Sequence, residues 1–262
     1  MEKKDGAKRI VFKVGSSTLI HSTGKTNLRH MGELARVLCD LRNEGREVAL
    51  VSSGAIGVGV GKLGLTARPK DTPGRQAAAT VGQCELMFIY DKLCSEYSNM
   101  VGQLLITKSD VDDAERRRNL INTFDKLFEY GAIPIINEND SVAVEEIVYG
   151  DNDSLSAIVA KLIGADLLVI LTDTEGLYDR NPSEAGATLI PIVEEITPEI
   201  EALGGGAGSE LGTGGMATKI HAAKIATDAG IETVVMSSTP IDAIYDLLDG
   251  KPVGTTFKAV KK

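Results

Sequence analysis

The chain has 262 residues, 43% of them hydrophobic, and a formal net charge of −9. That is ample apolar material for a core, and the acidic balance disfavours a nucleic-acid platform, which is normally basic. No apolar run approaches the roughly 20 residues of a membrane span, and the start Met1-Glu2-Lys3-Lys4, with Lys13 inside the short run after it, does not read as a signal peptide, so a cytoplasmic protein with no membrane partner is expected.

Arg9 to Val14 (RIVFKV) reads as a strand with Lys13 near its end, and Gly15-Ser16-Ser17-Thr18 follows as a small-residue turn. A lysine at a strand end before such a turn suits phosphate, because backbone N–H groups approach the anion closely and the ammonium supplies charge. The plain alternative is a solvated lysine before a turn. Gly24-Lys25-Thr26 resembles the end of a phosphate-binding loop, but the first glycine of that pattern would fall at Leu19, so a P-loop is rejected.

Leu28 to Asn43 carries a helical stripe of Leu28, Met31, Leu34, Ala35, Leu38 and Leu41. Glu47 to Val51 is the next strand and runs into Ser52-Ser53-Gly54-Ala55-Ile56-Gly57. Strand, helix, strand implies a parallel sheet with helical crossovers, whose ligands sit outside the C-terminal strand ends. Gly59-Val60-Gly61-Lys62-Leu63-Gly64 matches GxGxxG by letter but does not follow the strand directly, so a dinucleotide loop carries little weight.

Arg75 to Tyr97 reads as a long helix, Val101 to Ile106 as a strand and Asp110 to Tyr130 as a charged helix with a solvated Glu115-Arg116-Arg117-Arg118 face. Ala132 to Ile136 is a strand that enters a third polar loop, Asn137-Glu138-Asn139-Asp140-Ser141, and Glu145 to Val148 is a short extended segment. Gly150-Asp151-Asn152-Asp153-Ser154 then precedes a helix through Ile163. Asp153 or Ser154 makes a natural N-cap, but capping needs one such residue and here there are several. The cluster is either an over-polar capped loop or a site for a cationic group, a metal or paired lysines.

Leu167 to Leu171 is a buried strand, with Thr172-Asp173-Thr174-Glu175-Gly176-Leu177-Tyr178 and Asn181-Pro182 beyond it. Val193 to Leu203 reads as a weak helix, and Gly204 to Gly208 as a flexible loop. Gly212-Thr213-Gly214-Gly215-Met216-Ala217-Thr218-Lys219 opens a helix through Asp228, a glycine-rich approach to a helix N-terminus of the kind that binds anions. Thr233 to Met236 and Thr255 to Phe257 are strands, with a helix from Ile241 to Leu248. No internal repeat or linker interrupts the chain, so one domain over residues 1–262 is expected. Cys39, Cys84 and Cys94 lack metal or disulfide spacing and read as buried thiols, while His21, His30 and His221 read as surface or helix residues. Asn139-Asp140-Ser141 and Asn152-Asp153-Ser154 match the glycosylation pattern, which a cytoplasmic chain leaves idle.

Five blocks, in order and at matching intervals, resemble the amino acid kinase family. They are Val11-Phe12-Lys13-Val14-Gly15-Ser16-Ser17, Val51-Ser52-Ser53-Gly54-Ala55-Ile56, Asn137-Glu138-Asn139-Asp140, Gly150-Asp151-Asn152-Asp153 and Gly212-Thr213-Gly214-Gly215-Met216. The chain looks most like the members that phosphorylate the γ-carboxylate of L-glutamate for proline synthesis. The resemblance implies an α/β fold, a three-layer αβα sandwich with a mainly parallel central sheet, and ATP with Mg²⁺ carried on its phosphates rather than on a protein metal site. It also implies that Lys13 and Lys219 straddle the transferred phosphoryl group and that Asp153 orients both. Ser53, Gly54, Ala55, Asn137, Asp140 and Asn152 would hold glutamate. Gly15, Thr172, Asp173, Thr213, Gly214, Gly215, Met216, Ala217 and Thr218, with the two lysines, would hold the nucleotide. Proline as a feedback inhibitor, homo-oligomerisation and coupling to a glutamyl phosphate reductase are implied in the same way. Many bacterial members carry a further C-terminal PUA domain, which this chain is expected to lack. The alternatives are a kinase for aspartate, N-acetylglutamate or carbamate, and a catalytically inactive amino-acid or nucleotide sensor. The presence of Lys13, Lys219 and Asp153 speaks against decay. A nicotinamide-dependent dehydrogenase would rest on the misplaced glycine pattern alone.

Overall fold

A computed structural model describes residues 6–21, 23–142, 152–205 and 215–260. Its elements begin β1 (Arg9–Val14), α1 (Ser16–Leu19), α2 (Leu28–Asn43), β2 (Glu47–Ser52), α3 (Ala55–Leu63) and α4 (Thr72–Ser95). Next come β3 (Met100–Ile106), α5 (Lys108–Asp112), α6 (Ala114–Glu129), β4 (Ala132–Glu138), α7 (Asn152–Ile163) and β5 (Leu167–Thr172). The chain ends through β6 (Ile192–Val193), α8 (Pro198–Leu203), α9 (Met216–Asp228), β7 (Glu232–Ser237), α10 (Ala243–Leu248) and β8 (Thr255–Phe257). It folds as two compact units. A terminal unit is built from both chain ends, Met1–Lys13 and Asp151–Lys262, and a middle unit from Val14–Gly150.

In the middle unit the strands lie in the order β3-β4-β2, and both pairings are parallel. The register sets Leu50 beside Ile135 and Ile106 beside Glu138. Parallel neighbours need crossover helices: α3 and α4 lead from β2 to β3, and α5 and α6 from β3 to β4. Ahead of β2, α2 buries Met31, Leu34, Ala35, Leu38 and Leu41 of its expected stripe, whereas Leu28, its first residue, is exposed. Helices α3 and α4 approach until backbone meets backbone. A Cβ on Gly59 would collide with the Ala78 carbonyl, and one on Gly82 with the Ala55 carbonyl. Of the GxGxxG letters, Gly59 thus serves the packing of α3 on α4, Gly61 lies inside α3 against the Gly24 carbonyl, and Gly64 caps the helix.

In the terminal unit the order is β1-β5-β7-β8-β6. β5 and β7 are parallel, β7 and β8 antiparallel, and β8 and β6 parallel. All six residues of β5 are buried, as a strand covered on both faces requires. Asp166 accepts hydrogen bonds from the Lys8 and Arg9 N–H groups, both at 2.8 Å, and so pins the start of β1. Helices α7 and α9 pack on each other and against β5 and β7 respectively. Both units are thus mainly parallel sheets flanked by helices, the α/β architecture that the alternation of elements predicts.

Several boundaries differ from the sequence reading. The helix expected over 110–130 is two helices, because Asp113 accepts from the Glu115 and Arg116 N–H groups and starts a new one. The helix expected over 193–203 is strand β6 and the short α8, whose first residue is Pro198 behind a Thr197 cap. Ser16–Leu19 is a helical turn rather than a loop, and Ala55–Leu63 is a helix rather than a glycine loop. Asn137, Glu138 and Thr172 still belong to their strands. Asp153 and Ser154 lie inside the first turn of α7, so neither is its cap. Cys39 and Cys94 are buried as expected, whereas Cys84 is exposed. The extended segment expected over 145–148 and most of the 204–208 loop lie outside the described residues.

Candidate active site

The terminal unit buries an ionic cluster. Lys13 enters from the end of β1, Asp153 from the first turn of α7, and Thr218 and Lys219 from the first turns of α9. Lys13 Nζ stands 2.5 Å from Asp153 Oδ1, a short ion pair rather than an aligned hydrogen bond. Lys219 Nζ donates to Asp153 Oδ2 at 3.3 Å, and Thr218 Oγ1 donates to the same oxygen at 2.7 Å. Asp153 exposes 0% of its surface, Lys13 5% and Lys219 4%. Burial pushes the Asp153 carboxyl pKa up. The Lys13 and Lys219 ammonium charges, with the hydrogen bond from Thr218, outweigh it, and the pKa lies below the usual carboxylate range. One carboxylate against two ammonium groups leaves a net positive charge with little water to screen it, which is an electrostatic invitation to an anion.

Backbone features surround the cluster. Helix α9 starts at Met216 behind Gly215, whose φ of −71° and ψ of 177° are extended and whose missing side chain supplies no cap. The free N–H groups of that first turn favour an anion. Thr172 ends β5 and donates to Asp173 Oδ1 at 3.1 Å, and Asp173 is exposed. In the loop that follows, Thr174 Oγ1 is buried with no hydrogen-bond partner. Leu177 N–H donates to Thr255 Oγ1 at 2.8 Å and anchors the far end of the loop. Asn152 opens α7 and is half-buried. Thr213 and Gly214 lie outside the described residues.

The middle unit holds the other named residues at its strand ends. Gly15 caps α1, and the Ser53 N–H donates to the Val14 carbonyl at 3.1 Å. Gly54 turns the chain into α3 with φ +100°, a left-handed conformation that leaves glycine the natural residue there. Ala55 is the first residue of that helix. Asn137 is buried at the end of β4, and Asp140 is half-buried just beyond. A pocket of ≈ 320 Å³ opens here, with Gln83, Gln103, Glu138 and Asp140 in its lining. Burial, then the neighbouring Asp140 charge, pushes the Glu138 pKa up to about 7. Burial also raises that of Asp140, against the pull of Arg68.

Two residues that carry these strand ends escape the sequence reading. Gln83 and Tyr90, on the buried side of α4, bond to Asn137 and Ser52 respectively. Their signal was a glutamine in the middle of a buried helix face, where an aliphatic residue is the default. Among the described residues no three of His, Cys, Asp and Glu gather in a metal-holding group, and no helix is long and apolar enough to cross a membrane.

Solved structures with this fold include the carbamate kinase of Giardia lamblia bound to AMP-PNP, at TM-score 0.69 and 16% identity, with 98% of this chain and 100% of that one covered. The UMP kinase of Bacillus anthracis follows at TM-score 0.62 and 14% identity, with 97% of each chain covered. Curated relatives are much nearer in sequence. The glutamate 5-kinase of Clostridium tetani (strain Massachusetts / E88) is 54% identical over 255 residues, which cover 97% of this chain and 96% of that protein. The glutamate 5-kinase of Listeria innocua serovar 6a (strain ATCC BAA-680 / CLIP 11262) is 51% identical over 266 residues, covering 100% and 96%. The amino acid kinase family pattern itself matches residues 8–237, a span that begins just before β1 and closes on β7 and therefore takes in both lysines of the cluster and the carboxylate that pairs them. By that match, and by relatives more than half identical along almost its whole length, the chain belongs to the amino acid kinase family.

Proposed function

We propose that this chain is a single-domain kinase that transfers the γ-phosphoryl group of ATP to the γ-carboxylate of L-glutamate, giving ADP and L-glutamyl 5-phosphate, the first step of proline biosynthesis. The observation that carries the chemistry is the buried pair of ammonium groups on one carboxylate, Lys13 and Lys219 on Asp153. The named activity of relatives at 54% and 51% identity supports glutamate as the acceptor.

A glutamate side chain, with pKa ~4.3, is already ionised at neutral pH, so the nucleophile needs no general base. The obstacle is charge: a carboxylate must approach a triphosphate. The reaction therefore calls for positioning and neutralisation. A γ-carboxylate oxygen forms the new bond to the γ-phosphorus, and the bond from that phosphorus to the ADP oxygen breaks, its electron pair leaving with ADP. Lys13 and Lys219 neutralise the charge that spreads over the transferred group. Asp153 and Thr218 fix where those ammonium groups stand. Gly15, Thr172, Asp173 and the Gly215–Lys219 helix start hold the nucleotide, with Thr213 and Gly214 ahead of them. The unpartnered Thr174 hydroxyl suits the same ligand. Both Asp153 oxygens are engaged by protein donors, so Mg²⁺ would arrive on the phosphate oxygens and supply further neutralisation there. Ser53, Gly54, Ala55, Asn137 and Asp140, together with Asn152, bind glutamate, and Asp140 suits its α-ammonium through a charge-assisted hydrogen bond.

The reaction belongs to the cytoplasm, in a homo-oligomer that proline inhibits from the glutamate pocket. Its labile acyl phosphate needs a reductase close at hand. ADP release from Mg-ATP, with L-glutamate, L-aspartate and N-acetyl-L-glutamate in parallel and hydroxylamine as the trap, tests the proposal. A hydroxamate with L-glutamate alone is expected. A hydroxamate with another acid would keep the lysine chemistry and overturn the acceptor. Nucleotide binding without turnover would overturn catalysis.

A further inference from the structure

A helix that packs on a sheet normally buries an apolar stripe. Helix α4 of the middle unit departs from that at two points. Gln83 and Tyr90 are buried on it, exposed 8% and 1%, two turns apart on one face. Buried polar groups are costly unless they are hydrogen-bonded, and both of these are. Each reaches a strand end rather than another residue of α4. Tyr90 OH shares a hydrogen bond with Ser52 Oγ at 2.9 Å, and Ser52 Oγ donates to the Ser53 carbonyl at 3.2 Å. Gln83 Oε1 accepts from Asn137 Nδ2 at 3.0 Å, and Asn137 Oδ1 in turn accepts from the Glu138 N–H at 2.9 Å. One residue before Gln83, the backbone of Gly82 abuts the carbonyl of Ala55. Three points on one helix face thus tie down both strand-end loops.

The Gln83 contact is directional. Asn137 has two chemically different ends, and a flip of its amide exchanges them. With Oδ1 committed to the Glu138 N–H, Nδ2 must donate, and the oxygen of Gln83 receives it. An aliphatic side chain of the same size would fill the space but take away the oxygen that Asn137 Nδ2 donates to. We propose that Gln83 is a positioning residue for the glutamate acceptor: it fixes the Asn137 amide and through it the strand end that carries Glu138 and Asp140. This rests on the reading of residues 137–140 as glutamate-binding and adds to it the group that sets their geometry.

The test is steady-state kinetics on the full chain with three variants. Gln83→Met keeps the length and apolar volume and removes the acceptor. Gln83→Glu keeps an oxygen at that position whether or not it is ionised. Gln83→Asn, one methylene shorter, withdraws the amide. A misplaced contact raises KM for L-glutamate in Gln83→Met by about 10-fold or more, on the scale that small misplacements cost in bound geometry. KM for ATP is expected to stay within about 2-fold and kcat at saturating glutamate within about 3-fold, since the lysine cluster is untouched. Gln83→Glu is expected to restore glutamate KM to within about 3-fold of the parent, because the Asn137 donor regains its acceptor. An unchanged glutamate KM in Gln83→Met would overturn the proposal. So would equal losses in both substrates' KM, which mark general loosening, or a Gln83→Glu variant as impaired as Gln83→Met. If Gln83→Met does not fold, Gln83→Asn is judged by the same two ratios. Failure of the underlying reading looks different: the parent protein itself then makes no hydroxamate from L-glutamate.

Discussion

Asp153 faces two ammonium groups inside the protein, and its removal leaves them facing each other without compensation. Breaking a buried pair by deleting one partner costs about 3–5 kcal/mol, so Asp153→Asn is expected to lower the urea midpoint clearly as well as kcat. Because its pKa is held below the ordinary range, the stability that Asp153 contributes is complete above about pH 4 and is lost only as pH falls towards the folded value. Acid unfolding curves of the parent and Asp153→Asn should therefore converge at low pH; a constant gap would deny the ionic origin. Lys13→Ala and Lys219→Ala are expected to lower kcat by about 10² or more, as the loss of other preorganised charge stabilisers does, and near-normal turnover in either would remove that lysine from the chemistry. Glu138 has the opposite sign. Its pKa is raised to about 7 by burial and by Asp140, so the folded state holds its proton more tightly than the unfolded chain. That contribution is fully present below the unfolded value near 4.3 and is lost as pH rises through about 7. Glu138→Gln should flatten the decline in thermal stability between pH 5 and 8. An α-ammonium held at Asp140 feels the Glu138 charge too, so the parent's glutamate KM should fall as pH rises through about 7 while the variant's does not.

Among the elements, the contact between α3 and α4 is the least forgiving. Gly82 has no room for a Cβ because the Ala55 carbonyl occupies it, and backbone cannot yield as a side-chain tip can. Overpacking costs about 1–3 kcal/mol, so Gly82→Ala should lower the urea midpoint and, by pushing Ala55, also raise glutamate KM. A midpoint drop with unchanged KM would separate the packing from the substrate loop. The same contact shows what the sequence could and could not carry. Strands β1, β2, β5 and β7 and helix α2 were legible because period and burial agree in them: a largely apolar run for a strand covered on both faces, a three-and-four stripe for a half-covered helix. Helix α3 was not legible, because its glycines carry poor helix propensity and are explained only by a neighbour distant in sequence. The 193–203 stretch misled for the opposite reason: its apolar residues suit a helix, and Pro198 with its Thr197 cap restricts that helix to the last few. In the site, Lys219 and Asp153 are 66 residues apart, and no spacing rule joins them. Family resemblance named them, and the fold supplies the reason that they meet: β1, α7 and α9 are neighbours in one unit. Gln83 lay beyond both routes: a glutamine on a buried helix face signals a polar contact, but nothing local names the distant partner, Asn137.

At the scale of the molecule, the two units divide the proposed substrates between them. The lysine cluster, Thr172, Asp173 and the start of α9 belong to the terminal unit, while Ser53, Gly54, Ala55, Asn137 and Asp140 belong to the middle unit, with Gly15 as the one assigned nucleotide contact there. The polypeptide passes from one to the other at two places, after Lys13 and after Gly150, each inside a block assigned to substrate. Each ligand given alone should then stabilise its own unit most. A ligand at about 100 times its Kd adds about 2.7 kcal/mol to the state that binds it, which slows amide exchange through that opening by about 100-fold. Hydrogen exchange followed by peptide mass spectrometry would read this directly. A non-hydrolysable ATP analogue with Mg²⁺ should protect peptides around Thr172, Asp173 and Met216–Asp228. L-glutamate alone should protect those around Ser52–Ala55 and Asn137–Asp140, with Asn152 as the one assigned glutamate contact outside the middle unit. Protection by L-glutamate confined to the terminal unit would reassign the acceptor site. Protection of both units by either ligand would mean that the two open as a single cooperative body, and the division of labour would then be one of contacts and not of stability.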